Sequence, residues 1–451
     1  MDRIYDYFTD AFAAAVAAGS GRGRRIGVEM KFPLVSRDGN AVSEAKVRLL
    51  WDYLRLRGWR PIRDEMTSRT IGACKTGQYN DTVAGCETGY CKTEFSLAHT
   101  GDLFRMAEQI ADLRAELEIF GRRYGVEFIG YGIHPVTPPG RKLLLKKGRT
   151  SPWSRVFPSN RHIPKDKGDD VHLFTVNAGC HVHVSVSMEE AVDAVNVLNG
   201  FAGPQIALTA NSSVWQGRIE SDYKCVSEKL WDWWMPDEDR VGMPVRPFRD
   251  LRHYVHTVAG LRPVFISRHG KPIVLQKYRT FREYYSAGRA VGVNTEGREV
   301  SFIPEKSDID LHNSCYWYNA RVSRYYTVEN RANDQQPPDA MMSVPALTLG
   351  LVSALGEAKE ELSSYDWPVL RQMRQTAIRS GPAACGGGQL RGLAGRMLAI
   401  ARLGLSRRRR GEEEFLEPLC RRLSRAECPA DEAVRLFSSG GAAGLVNNRK
   451  I

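Results

Sequence analysis

An α+β fold, built on a mostly antiparallel sheet flanked by helices and followed by a helical C-terminal region, is predicted by three features of the 451-residue sequence. Several stretches alternate apolar and polar residues as strands do, and two long segments repeat apolar residues at three- and four-residue spacing. The two kinds of segment do not follow one another as regular βαβ units. The first strand is RIGVEMKFPL, residues 25–34. Side chains two apart share a face, so Val28, Met30 and Phe32 lie on one side and Glu29 and Lys31 on the other, which meets either solvent or a site. Residues 43–58 and 101–124 are amphipathic helices, each closed by a glycine.

Between those helices, DTVAGCETGYCKTEFSLAH alternates over part of its length and carries Glu87 and Glu94. Residues 136–169 are basic and rich in Pro and Gly, which predicts a long loop or lid rather than core. DDVHLFTVNAGCHVHVSVSM is another alternating strand, with His181 and His183 on one face and Val182 and Val184 on the other. Helical periodicity returns at 189–210, and a further polar-faced strand lies in SRYYTVENRAND, residues 323–334. From about Met342 the chain reads as helical apart from GPAACGGGQ. The run Arg407 to Arg410, followed by Glu412 to Glu414, predicts an exposed charged turn between helices with no functional role.

Composition narrows the class. The hydrophobic fraction of 42% is enough for a substantial core. A net charge of +12 suggests affinity for anions without choosing among nucleotides, nucleic acids and anionic lipid surfaces. The basic residues are dispersed and no nucleic-acid motif is present, so neither a nucleic-acid partner nor a membrane is expected. The N-terminal stretch starts with acidic residues and lacks a basic leader, which predicts an amphipathic helix rather than a signal peptide, and nothing later reads as an uninterrupted membrane span. The nine cysteines are odd in number and scattered, and the pair Cys86 and Cys91 has no second pair at zinc-site spacing. A reduced, cytoplasmic protein is expected, with most cysteines acting as small buried hydrophobes.

Polar residues recur where a core sheet would be apolar: Glu29 and Lys31, Glu87 and Glu94, His181 and His183, and Glu329 and Arg331. Converging carboxylates repel one another and lose hydration, so a sheet face that gathers several of them usually holds cations between them. Oxygen-rich sets of this kind suit magnesium or manganese, which bind nucleotide phosphates. The alternative is that each strand simply exposes its own polar face.

The ordered series IGVEMKFPL, KTEFSLAHTGDL, GCHVHVSV, ANSSVWQG, PDEDRVGM, TFREYY, DLHNSCYWYNARVSRYYTVENRAND and IARLGLSRRRRGEEEFLEPL resembles the glutamate–cysteine ligase family in its plant and proteobacterial branch, over nearly the whole chain. The resemblance implies a curved, funnel-like sheet related to the catalytic domain of glutamine synthetase. It implies a catalytic body over residues 1–360 and a helical extension over 361–451 packed on it. It also implies ATP with Mg2+, or Mn2+, as cofactors and amino acids as substrates, and leaves the oligomeric state open. The family's first strand begins Gly-x-Glu-x-Glu; Gly27 and Glu29 match, and Lys31 stands at the second carboxylate. By the same resemblance Glu29, Glu94 and Glu329 are metal ligands, with Glu87 a further candidate upstream on the strand of Glu94. His181, Arg240 and Arg331 contact the nucleotide, and Arg331 serves the transferred phosphate, with Asp334 completing that motif.

The implied reaction activates the side-chain carboxyl of glutamate as an acyl phosphate, which the amine of cysteine attacks. No protein nucleophile is needed, so Cys180 and Cys315 are packing residues. Lys31 either substitutes in charge for one metal ion, contacting a phosphate oxygen or Glu29, or extends to solvent. Arg240 either meets a ligand or pairs with Asp237 or Asp239. The basic loop from Arg141 to Lys167 is either a lid over phosphates or a solvated loop. The stretch before Trp231 offers Ser227 and Lys229 where the family often has arginine, which keeps open a ligase for another acid or amine. A non-catalytic relative and a nucleic-acid-binding protein are the more distant alternatives.

Overall fold

A nine-stranded antiparallel sheet is the centre of the computed structural model, which describes residues 2–19, 23–77, 80–235, 239–383 and 388–451. Asp237, one of the carboxylates considered for Arg240, and Cys385 lie outside the described residues. Strand β1 (Ile26–Val35) is central. A meander of β2 (Arg60–Arg63), β3 (Thr70–Lys75), β4 (Thr82–Gly85) and β5 (Lys92–Ser96) lies on one side of it, and the short β6 (Glu127–Phe128) pairs with its end. On the other side come β7 (Cys180–Ser185) and the hairpin of β8 (Ala320–Val322) and β9 (Thr327–Asn330), giving the order β8-β9-β7-β1-β5-β4-β3-β2. This is the predicted class, α+β with an antiparallel sheet.

The predicted helices are present. Helix α1 spans Asp2–Gly19, α2 spans Glu44–Leu56 and α3 spans Leu103–Tyr124. Asp102 caps α3 by accepting from the backbone N–H groups of Phe104 and Arg105, and Gly125, at φ 62°, ends it in the left-handed conformation. The 189–210 periodicity resolves into α4 (Ala191–Gly200) and α5 (Ala202–Thr209). Beyond Met342 the chain forms α6 (Ser343–Ser353), α7 (Trp367–Ser380), α8 (Gln389–Ser406) and α9 (Pro429–Arg449), with shorter helices between.

Alternation along the strands builds the core. Val28, Met30, Phe32, Val182, Val184 and Val328 are all buried, and α4 and α6 cover that face. Every residue of α6 from Ser343 to Val352 is buried, as its all-round apolar sequence requires. It crosses α8 at glycines: a Cβ on Gly404 would meet the Gly350 carbonyl oxygen at 1.9 Å, so the two backbones approach as only glycine permits.

Two segments differ from expectation. Within residues 141–167, Leu143, Leu145, Trp153, Val156, Phe157 and Ile163 are buried, most of them in a second apolar cluster with Phe174, Trp234 and Phe265. The basic residues are interleaved with large apolar anchors, and burial of those anchors makes the segment a packed wall rather than a solvated loop. The charged turn after α8 is likewise not all exposed. Glu412 is buried and accepts from the Leu103 N–H at 2.9 Å and from Arg408 Nε at 2.5 Å, closing the N-terminus of α3.

Candidate functional site

Cross-strand register brings the polar residues together. Opposite partners on the sheet are Lys31 with Glu94, Glu29 with His181, Glu329 with His183, and Arg321 with Glu329. Glu87 is not on a strand; it sits in the β4–β5 connection, and its carboxylate still reaches the group. The four carboxylates divide into two sets. Glu94, Glu87 and Glu29 surround Lys31, whose Nζ lies 2.9, 3.6 and 3.7 Å from their oxygens. Glu329 lies on the other side of Glu29 and is held by Arg321 Nε at 2.7 Å and by Arg331.

Lys31 is buried on this face and does not extend to solvent. Burial disfavours its ammonium, but Glu87, Glu94 and Glu29 outweigh that and hold its pKa above the ordinary value. Its Nζ donates to His181 Nδ1 at 2.8 Å, and an ammonium cannot accept, so Nδ1 carries the lone pair of a neutral ring. Burial, together with the charges of Lys31 and Arg331, pushes His181 down to about 3. Glu94 moves the other way: burial and the neighbouring carboxylates push it up to about 7 against the pull of Lys31. For Glu329, Arg321 and Arg331 overcome burial and keep the carboxyl well below its usual range.

Glu29 Oε1 lies 3.2 Å from His183 Nε2, and Glu29, His183 and Glu329 each offer a ligand atom within 4.8 Å of the others. Two carboxylates and an imidazole at that spacing fit a divalent ion. His183 was visible in the His-x-His alternation, and Arg321 in the alternation of ARV. The alternation marks His183, with His181, as a polar-face residue but gives it no role, and it does not single out Arg321, because only the strand register shows that both face Glu329. Lys92 shares a face with Glu94 by the same rule; it is buried, donates to Asn177 Oδ1 at 2.8 Å, and burial pushes it down to about 8.

Lys31, His181 and Arg331 open onto a cleft of about 150 Å³, which is also lined by Lys92, Lys147 and Arg149 and walled by Trp153, Phe174, Trp231, Trp234 and Trp317. Trp231 and Trp317 stack at 5.9 Å, and Phe174 lies 4.0 Å from Trp231. Arg240 is not in that lining. It is buried behind the wall and donates to the carbonyl oxygens of Cys315 and Arg262 at 3.3 and 2.6 Å. Asp334 is also withdrawn, accepting from Ser212 Oγ, Ser227 Oγ and the Asn211 N–H, and Lys229 lies 3.9 Å from Asp232.

The glutamate–cysteine ligase family 2 matches residues 25–448, which is nearly the whole chain and includes every residue of this cluster. The chain belongs to that family. This ligase is 24% identical over 421 residues to the chloroplastic glutamate–cysteine ligase of Brassica juncea, covering 91% of this chain and 74% of the relative. It is 24% identical over 418 residues to that of Medicago truncatula, covering 90% and 75%. The crystal structure of the glutamate–cysteine ligase of Francisella tularensis, in complex with AMP, superposes with a TM-score of 0.53 at 11% identity over 94% of this chain and 87% of that one. A bifunctional glutathione synthetase from Pasteurella multocida superposes with a TM-score of 0.50 at 11% identity, over 97% of this chain and 52% of that one. The ligase is accordingly an ATP-dependent enzyme. Among its described residues, no helix is long and apolar enough to cross a membrane.

Proposed function

We propose that this ligase uses ATP to activate the side-chain carboxyl of glutamate and joins it to the amino group of cysteine. A carboxylate oxygen attacks the γ-phosphorus, the bond to ADP breaks, and an acyl phosphate forms. The amine nitrogen then attacks the acyl carbon, inorganic phosphate leaves, and the amine proton is lost. The observation that carries this reading is Arg331, which lines a cleft with cationic sides and pairs with Glu329 of the adjoining Glu29–His183–Glu329 set. Glu29, His183 and Glu329 would hold magnesium, or manganese, which when bound neutralises phosphate oxygens. Arg331 is oriented by Glu329 and His181, the latter at 3.3 Å, and is placed to stabilise charge on the transferring group. Lys92, Lys147 and Arg149 supply cationic contacts for substrate carboxylates, and the aromatic wall keeps water from the acyl phosphate. Cys180 is a core residue whose thiol burial pushes up to about 12, in keeping with a reaction that needs no protein nucleophile.

A second reading keeps the chemistry and changes the amine. Ser227 and Lys229 are engaged with Asp334 and Asp232, and the cleft wall is tryptophan-rich, which favours an amine with an apolar or aromatic side chain. The test is a panel of amino acids and amines incubated with enzyme, ATP, magnesium and glutamate, read by phosphate release and mass spectrometry. γ-Glutamylcysteine as the dominant product is expected; a larger kcat/KM for an aromatic or apolar amine selects the second reading, and no coupled product from any pair overturns both.

A further inference from the structure

Four polar groups, on β1, the β4–β5 connection, β5 and β7, converge on one nitrogen. Lys31 Nζ lies 2.9 Å from Glu94 Oε2, 3.6 Å from Glu87 Oε2, 3.7 Å from Glu29 Oε2 and 2.8 Å from His181 Nδ1. The lysine side chain is 3% exposed and Glu94 and Glu29 are largely covered, whereas Glu87 is half-exposed at the cleft. An ammonium has three N–H donors. His181 Nδ1 and Glu94 Oε2 lie at short range, whereas Glu29 and Glu87 are ion-pair partners beyond hydrogen-bond length. Three carboxylates and an imidazole nitrogen around one point are the donors a divalent cation would take, and a cation between them offsets the repulsion of like charges crowded together.

Glu29 joins this point to the neighbouring one. Its Oε2 faces Lys31, whereas its Oε1 lies 3.2 Å from His183 Nε2 in the set that also contains Glu329. Two cation positions therefore sit side by side on the sheet, bridged by one carboxylate, and only one of them is open to a metal.

We propose that the Lys31 ammonium is a built-in cation that fills the position between Glu29, Glu87 and Glu94, so that this face of the sheet takes a single divalent ion, at Glu29, His183 and Glu329. Lys31 is then a positioning residue: it gathers the carboxylates and orients His181 beside Arg331. Its part in catalysis rests on the ligase reading above, but the ion count does not.

The experiment titrates Mn2+ alone into the full-length protein and counts free ion by electron paramagnetic resonance. Wild type is expected to hold one tightly bound Mn2+ per chain, lost in Glu329→Gln. Lys31→Ala is expected to hold two, with a thermal midpoint that Mn2+ raises further than it raises that of wild type, because the added ion restores the missing charge. Zero or two tight ions in wild type, one ion in folded Lys31→Ala, or failure of Lys31→Ala to fold in saturating Mn2+ each overturns the proposal. Absence of any coupled product in the amino-acid panel would instead remove the ligase reading and leave these counts as they are.

Discussion

Arg331 shows what one side chain contributes here and how its role can be isolated. Its guanidinium holds Glu329, but Glu329 keeps a second partner in Arg321 Nε at 2.7 Å, so removing Arg331 leaves no unpaired buried carboxylate. Arg331→Ala is therefore expected to fold normally by circular dichroism and to lose about 10²- to 10³-fold in kcat, the usual loss for one preorganised donor to a charged transition state. Wild-type turnover in that variant would remove Arg331 from the mechanism. Glu29 and Glu329 were legible because each combines a charged side chain with a strand position facing away from the core, and Arg331, one residue past β9, because it continues that alternation. Arg240 was equally legible as a motif; its side chain donates to two carbonyl oxygens and is not among the residues that line the cleft.

Among the elements, the turn after α8 shows how a charged run becomes structural. Opposite charge blocks read as a solvated turn, but Glu412 is buried at the start of α3, and Arg408 and Arg410 both donate to the Gly101 carbonyl oxygen at 2.7 Å. Glu412→Ala leaves a buried N–H on Leu103 without its acceptor and the Arg408 guanidinium with only the Gly101 carbonyl oxygen, and is expected to cost about 2–4 kcal/mol in urea unfolding. Glu412→Gln keeps an acceptor for the N–H and should cost less. A change within about 0.5 kcal/mol for Glu412→Ala would show the contact to be dispensable. In the helical region, the fully buried α6 was legible as apolar over its whole length, whereas its close crossing with α8 depends on which glycines happen to meet.

The whole chain carries buried histidines whose protonation couples to folding. Burial pushes His134 down to about 4 and His312 down to about 3, and the His312 ring stacks on Phe281 at 4.0 Å. Both bind fewer protons folded than unfolded, where the ordinary value is about 6.5, so stability is lost as pH falls through the interval from about 6.5 towards the folded values. Between pH 7 and pH 5 each is expected to remove about 2 kcal/mol. Urea unfolding of wild type and His134→Gln at the two pH values checks this: the variant should lose about 2 kcal/mol less than wild type, and equal losses would exclude His134 as a contributor.

Alternation and helical periodicity determined the class, the strands that carry charge, and the face of each strand on which that charge lies, because both patterns are local and follow from backbone geometry. Which charges meet was a tertiary decision. Glu94 and Glu87 gather on Lys31 while Glu329 gathers on arginine, and His183 joins Glu29 and Glu329, because strand register and the path of the β4–β5 connection set cross-strand neighbours that no local period encodes. The cleft wall was decided the same way. Trp153, Phe174, Trp231 and Trp317 come from four distant segments, and burial of their apolar area turned a basic, proline-rich stretch into the side of the site.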